Sequence, residues 1–214
     1  MSSTFLVPLR SEALAVRWGL HRHAGVGIRV VRTGAGPSRA AAAASRLGLE
    51  PGEPGVLTVV VGVCGGLDPT LRPGDLVVAD ALTRPDGEPV AADLSLAPVM
   101  ASALRDGVGN GSVRVGTVAG AETLVRGRGA RRALFEQGAM AVDLESWVLA
   151  SHVPGPVVVV RAVVDTADAE LLSPTTIIGG IRALAALSRA VPVLAKQIDN
   201  PRFADRTDRG SQRL

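Results

Sequence analysis

Two stretches of the chain are apolar almost without a break, at residues 56–63 and 156–164. Runs this short and this apolar, rich in valine, predict strands buried on both faces, as in the middle of a parallel sheet. Residues 4–8 form a shorter run of the same kind, and 76–79, 113–118 and 139–144 add three more predicted strands. Residues 27–32 set apolar positions against Arg29 and Arg32, which predicts a strand with one wetter face. Between the strands the period lengthens. Helices are predicted from Glu12 through Trp18 with Ser11 as N-cap, at 39–47, 96–105, 131–137, through Trp147 and Leu149, and at 175–195 with a break near Pro192. Gly138 is placed to end the helix at 131–137.

Strands alternating with helices predict an α/β fold: three layers, α/β/α, around a central, mostly parallel mixed sheet. Neither a repeat nor a linker divides the chain. Residues 1–198 read as a single domain, and 199–214 as a polar, arginine-rich, disordered tail.

Composition narrows the function classes. The chain has 214 residues, 47% of them hydrophobic, enough for one sizeable core. Net charge is only +3, and the basic residues are arginines except for Lys196. Apart from residues 126–132 and the tail, they are dispersed. Aromatics make up 2%, too few for the stacking platforms of a single-strand binder, so no nucleic-acid partner is expected. A lone cysteine, Cys64, excludes an internal disulfide and a cysteine metal cage. His21, His23 and His152 lack metal-ligand spacing, and no metal is expected. No secretory leader and no run of about 18 apolar residues is read, so the expected compartment is the cytoplasm. The arginine cluster at 126–132 is expected to be a solvated face, with contact to anionic lipid headgroups as the sharper alternative.

The chemistry-bearing residues gather at predicted C-terminal ends of strands, where open α/β sheets bind ligands. They are Arg10 and Glu12, Gly34, the 62–66 turn, Asp143 and Glu145, and Asp165. Asp143 and Glu145 would share a face if both were in a strand, and would diverge in a helix. Residues 33–38 are glycine-rich but lack the third glycine of a dinucleotide fingerprint and follow the second strand. No nicotinamide or other cofactor is therefore expected.

Four segments in this order resemble the nucleoside phosphorylase family, and within it the nucleosidases of methylthioadenosine and S-adenosylhomocysteine. They are Thr33-Gly34-Ala35-Gly36-Pro37, Gly62-Val63-Cys64-Gly65-Gly66-Leu67-Asp68-Pro69 with Arg72-Pro73-Gly74-Asp75, Ala141-Val142-Asp143-Leu144-Glu145-Ser146, and Val160-Arg161-Ala162-Val163-Val164-Asp165-Thr166-Ala167-Asp168. The N-terminal Val7-Pro8-Leu9-Arg10-Ser11-Glu12-Ala13 also resembles the hopanoid-associated phosphorylase branch, which would release adenine from adenosylhopane.

The resemblance implies cleavage of a purine N-glycosidic bond in a 5′-substituted adenosine, with no cofactor. It assigns Asp165 as the acid that protonates the leaving purine. Placement at the end of an apolar strand agrees, since burial favours a neutral carboxyl. An Asx turn is the structural alternative. Glu12 matches the residue that activates water, and Glu145 the carboxylate that binds the ribose hydroxyls and steadies an oxocarbenium-like transition state. Asp143 stands where a glutamate is frequent and is expected to support Glu145. Leu144, Cys64, Gly65, Gly66, Thr123 and Leu124 are expected around the nucleoside, with Thr123 where nucleosidases carry a phenylalanine under adenine. Cys64 is expected to pack rather than attack.

Arg10 is the candidate phosphate ligand if phosphate replaces water. Against that, Val60 and Val63 stand where phosphorylases carry arginine and serine. The expected partners are a small-molecule nucleoside, lipid-linked in the hopanoid branch, phosphate in the alternative reaction, and a second copy in a homodimer. A nucleoside-binding module without catalysis is the alternative from another class.

Overall fold

The computed structural model describes residues 3–21, 27–47, 57–108, 113–153, 155–166 and 174–200. Seven strands and six helices run through them, alternating except that the fourth strand follows the third directly. The order is β1 (Ser3–Val7), α1 (Arg10–His21), β2 (Ile28–Arg32), α2 (Pro37–Leu47), β3 (Leu57–Gly66), β4 (Leu76–Thr83), α3 (Ala97–Val108), β5 (Val113–Gly120), α4 (Arg128–Glu136), β6 (Ala139–Asp143), α5 (Ser146–Ser151), β7 (Val157–Asp165) and α6 (Pro174–Ile198). His23 and most of the expected tail, along with Ala167 and Asp168, lie outside the described residues.

All seven strands join one mixed sheet, ordered β2-β1-β3-β6-β5-β4-β7, with β3 and β7 also paired. That extra pairing curls the sheet, so that β3, β6, β5, β4 and β7 close a ring. Only β3–β6 and β4–β7 are antiparallel. The two valine-rich runs, β3 and β7, lie parallel side by side from Thr58↔Val157 to Gly65↔Asp165. Their alternate side chains feed two cores. Val59, Val61, Val158 and Val160 face α1, α3 and α6, whereas Val60, Val157 and Val159 pack toward α2 and α5.

Several elements run longer than their sequence patterns suggest. β3 continues through Cys64-Gly65-Gly66, because Gly65 and Gly66 take up antiparallel pairing with Val142 and Ala141 of β6. β4 extends to Thr83 through an irregularity between Ala79 and Ala81. α2 starts at Pro37, a favoured first helical residue because it has no N–H to leave unpaired. Gly138, with φ of 93°, follows the last turn of α4 as expected.

Two expectations about helix ends are corrected. Ser11 lies inside the first turn of α1 instead of capping it. The cap is half of a capping box: Glu12 reaches back and accepts the N–H of Leu9 at 2.6 Å. Nor does α6 break at Pro192; it runs unbroken to Ile198. Proline cannot donate to the carbonyl four residues back, that of Ser188. This carbonyl instead abuts α1 at Gly19, where an added Cβ would lie 2.7 Å from the Ser188 oxygen. Within α6, Ile177–Ile198 is long and apolar enough to cross a membrane by length and composition. Ala183, Leu187, Ala190, Val191 and Leu194 of this segment are buried in the core against the sheet.

Candidate active site

A cavity of about 350 Å³ opens where β3, β6 and β7 end and α1 begins. Its wall is mainly apolar, from Val63, Val142, Val164, Leu144 and Val125, and four carboxylates reach it: Glu12, Asp143, Glu145 and Asp165. These come from distant parts of the chain because β1, β3, β6 and β7 bring their C-terminal ends, or the turns that follow, to one edge.

Glu12 is 1% exposed. The capping geometry that starts α1 also fixes its carboxylate. One oxygen holds Leu9 N–H, and the other accepts Val63 N–H from β3 at 2.8 Å. Burial pushes its pKa above the ordinary carboxylate value. The Arg161 guanidinium and the two backbone donors pull the other way without cancelling that shift.

Glu145 is the residue just before α5, with φ of −119° and ψ of −28°. Asp143 is the last residue of β6, so the Asp-Leu-Glu run straddles a strand end and a helix start. Both carboxylates nevertheless reach the cavity. Glu145 accepts Gly36 N–H at 2.7 Å, which ties the glycine turn before α2 to the site. Gly36 has φ of 87°, a backbone state that glycine adopts without strain. Burial raises the pKa of Glu145; Arg161 opposes this and Asp143 adds to it. Asp143 accepts the Ser146 N–H and hydroxyl, thereby capping α5.

Arg161 was not singled out by the sequence, although it is the organising cation. It is fully buried in the middle of β7. It pairs with Asp143, and its Nε donates to Ser146 Oγ at 2.8 Å. Desolvation works against its charge, yet Asp143, Glu145 and Glu12 together keep its pKa above the ordinary arginine value. Its Nη1 has no hydrogen-bond partner among the described residues and lies against Gly62, where any Cβ would overlap it. A lone charge inside an apolar strand was the available signal, since such a charge is buried only with a partner.

Asp165 ends β7 and is 4% exposed. The carboxyl that the strand pattern placed in apolar surroundings has a counter-ion: Arg131 Nη2 donates to its Oδ2 at 2.7 Å. Arg131 also donates from Nη1 to Thr166 O at 2.8 Å and from Nε to Val125 O at 3.2 Å. The solvated-face expectation therefore fails at Arg131, which is 4% exposed and lines the cavity. It holds for Arg132, whose exposed side chain pairs with Glu136 one turn on. In an arginine-rich helix, sequence alone does not tell which arginine turns inward.

Cys64, Gly65 and Leu144 line the cavity, as does Leu124, which is 55% exposed at its edge. Gly66 is buried behind this wall, against Val163 and the Asp165 carbonyl. Thr123 is exposed and absent from the lining, so the position expected under a base does not reach it. Arg10 is also exposed and away from the lining, as are Arg29 and Arg32. Burial drives the Cys64 thiol far above its ordinary pKa, with Asp143 adding to the shift. That environment suits a packed side chain, not a nucleophile. Among the described residues no group of histidine, cysteine or acidic side chains could hold a metal ion.

A family model described as the phosphorylase superfamily matches residues 9–192. The chain belongs to the phosphorylase superfamily. The match spans the elements from α1 through most of α6, and so every cavity-lining segment from Leu9 onward. No curated protein matches this superfamily member. Among solved structures it is similar to a 5′-methylthioadenosine/S-adenosylhomocysteine nucleosidase from Colwellia psychrerythraea 34H in complex with adenine. The TM-score is 0.74 at 20% identity, covering 92% of this chain and 96% of that one. The nucleosidase from Neisseria meningitidis, in complex with methylthio-immucillin-A, gives 0.71 at 18% identity over 91% and 97%. Futalosine hydrolase of Helicobacter pylori gives 0.71 at 18% identity over 91% and 96%. These likenesses establish the fold, a mixed α/β sheet with the superfamily's layers.

Proposed function

We propose that the cavity cleaves the N-glycosidic bond of a purine nucleoside, releasing adenine from a 5′-substituted adenosine by attack of water. The observation that carries this is the convergence of Glu12, Glu145 and Asp165 on one cavity. Glu12 is held at Val63 and Asp165 pairs with Gly65. Two residues along a strand span about 7 Å, room for a sugar between the two groups. Glu12 would take the proton of the attacking water, and its raised pKa suits a general base. Glu145 would hold the ribose hydroxyls, and Asp165 the base.

Water is favoured over phosphate by charge. Four carboxylates, Glu12, Asp143, Glu145 and Asp165, stand against two guanidinium groups, Arg161 beneath the cavity and Arg131 in its wall. Such a field stabilises a cationic sugar and repels a phosphate dianion. Arg10, the candidate phosphate ligand, lies outside the lining. The nucleosidases and the hydrolase among the similar structures support the same choice. Leu9 and Leu124, 38% and 55% exposed, edge the cavity with apolar surface. That edge suits an alkyl 5′ substituent, methylthio or lipid-linked. The homodimer expected from the family resemblance is part of this proposal.

The test is incubation with 5′-methylthioadenosine and with a longer 5′-alkyl adenosine, with and without phosphate. Hydrolysis gives adenine and the free sugar at equal rates in both buffers. A sugar 1-phosphate formed only with phosphate would make the enzyme a phosphorylase. Nucleoside binding without base release would make it a binding module.

A further inference from the structure

We propose that the shared outer face of α1 and α6 docks on the surface of an anionic lipid bilayer and brings the cavity mouth to it. This rests on the assignment above of a substrate with an apolar 5′ substituent. Eight large apolar side chains are exposed among the described residues. Five of them lie on these two helices: Leu14 and Trp18 on α1, and Ile177, Ile178 and Ile181 on α6, all more than half exposed. Two others, Leu9 and Leu124, edge the cavity. Apolar surface gathered in this way marks an interaction site, whereas single scattered residues do not. The core does not use these five; α1 and α6 serve it from their opposite faces, through Val16, Ala183, Leu187 and Val191.

The two helices pack side by side and run the same way. β1 and β7 both lie parallel to β3, and each helix follows the C-terminal end of its strand, at the edge where the cavity opens. Their register is fixed at Gly19, where an added Cβ would meet the Ser188 carbonyl at 2.7 Å. Counting back five residues on each helix, about 7.5 Å, sets Leu14 level with Ala183, within one turn of Ile181. Trp18 stands one residue before the contact and so beside the same stripe. Toward the cavity, Gly179 lies against the Val164 carbonyl, where an added Cβ has no room. Val164 lines the cavity, so Ile177, Ile178 and Ile181 flank its edge. The apolar face thus reaches from Trp18 to the mouth along the two helices.

Charge decides what covers this face. Arg10, Arg17, Arg182 and Arg189 are exposed on the same two helices, and none pairs with a carboxylate among the described residues. The acid of α1, Glu12, is buried at the cavity, and α6 carries no acid. A second copy placed on this face about a two-fold axis would set arginine against arginine. The chain beyond α6 is a poor match: residues 199–214 are mostly polar and begin at the opposite end of that helix. A bilayer with anionic headgroups meets both features. The arginines reach the phosphates while the isoleucines and Leu14 enter the acyl boundary, with the Trp18 indole at headgroup level. Docked in this way, Leu9 at the mouth faces lipid. A nucleoside held in the bilayer by its 5′ substituent then reaches the carboxylates without its chain crossing water.

The experiment uses the full chain with two kinds of vesicle, phosphatidylcholine alone and phosphatidylcholine mixed with phosphatidylglycerol. Flotation measures binding. Quenching by lipid with brominated acyl chains reports whether Trp18 enters the bilayer; the other tryptophan, Trp147, packs at Gly120. The chain is expected to float with the mixed vesicles, and to lose about fivefold in affinity with each of Arg17→Gln and Arg189→Gln. Ile177→Ser combined with Ile181→Ser should abolish flotation, and Trp18→Phe the quenching. These positions are exposed and outside the cavity lining, so turnover of water-soluble 5′-methylthioadenosine stays as in wild type. Turnover of a long 5′-alkyl adenosine embedded in the mixed vesicles falls about tenfold or more in the double isoleucine variant. Absence of flotation with the mixed vesicles overturns the proposal and leaves the face to a protein partner. Flotation that the isoleucine substitutions leave intact also overturns it, as attraction of charge alone. A wild-type dimer that the same substitutions dissociate would overturn it in favour of a second copy. Flotation as expected, without base release from any 5′-substituted adenosine, would overturn the cleavage assignment and leave the docking face standing; base release without flotation does the reverse.

Discussion

Arg161 and Asp143 form an ion pair closed off from water, their side chains 0% and 2% exposed. It sits beneath the cavity, where Glu12 and Glu145 also act on the guanidinium. Removing one partner of such a pair strands the other. Arg161→Met is therefore expected to destabilise the fold by about 3–5 kcal/mol. Gly62→Ala should disturb the same group from the other side, since its Cβ would overlap Arg161 Nη1. Denaturant unfolding of the two variants checks both. Stability equal to wild type in Gly62→Ala would show that the guanidinium has another place to go.

Glu12 must be ionised to act as a base. Burial sets its pKa above the ordinary 4.5. The activity should therefore fall as pH drops through a value above 4.5, earlier than for a solvated glutamate. Glu12→Gln is expected to lose about 100- to 10,000-fold in kcat. The pH profile of kcat/KM for wild type and variant measures both effects.

Glu145 gives the opposite sign for stability. Its folded pKa lies above the unfolded 4.5, so folding favours the protonated form. The stability this group contributes is complete below 4.5 and is lost as pH rises through the folded value. At about pH 8 its buried charge opposes folding. Glu145→Gln keeps an oxygen for Gly36 N–H and drops the charge. The variant should equal or exceed wild-type stability there, with the gap closing as pH falls toward the ordinary carboxylate range, while kcat collapses. Thermal melts at several pH values read the gap.

Cys64 lines the cavity as a buried neutral thiol. Cys64→Ala should keep turnover and cost about 1 kcal/mol of stability. Iodoacetamide should leave the wild type active. Rapid inactivation that substrate prevents would instead assign the thiol a chemical role.

The sheet was legible because its two central strands are valine-rich and bounded by glycine or acidic residues. Strand lengths were less so. Nothing local announces that Gly65 and Gly66 find partners in β6, as such pairing is decided by distant chain. Asp165 ends one strand and Glu145 closely follows another, so both stand out as acids beside apolar runs. Arg161 was hidden by the company it keeps, one charge among valines that reads as a strand whatever its role. Arg131 was hidden for the opposite reason, one arginine among several on a short polar helix. Arg10 shows the limit of adjacency. It is two residues from Glu12 on α1, and on a helix such neighbours point apart, so one is buried and the other meets solvent.

Gly19 meets α6 at the Ser188 carbonyl that Pro192 leaves without its usual partner. Glu12 sits at the other end of the same helix, α1. The seam and the cavity are thus two ends of one stiff rod. A bulkier side chain at Gly19 would tilt the rod and shift the carboxylate that meets the attacking water, leaving every cavity-lining side chain unaltered. Rate could be tuned from this remote hinge while the choice of base, read at the far wall of the cavity, stays as it is.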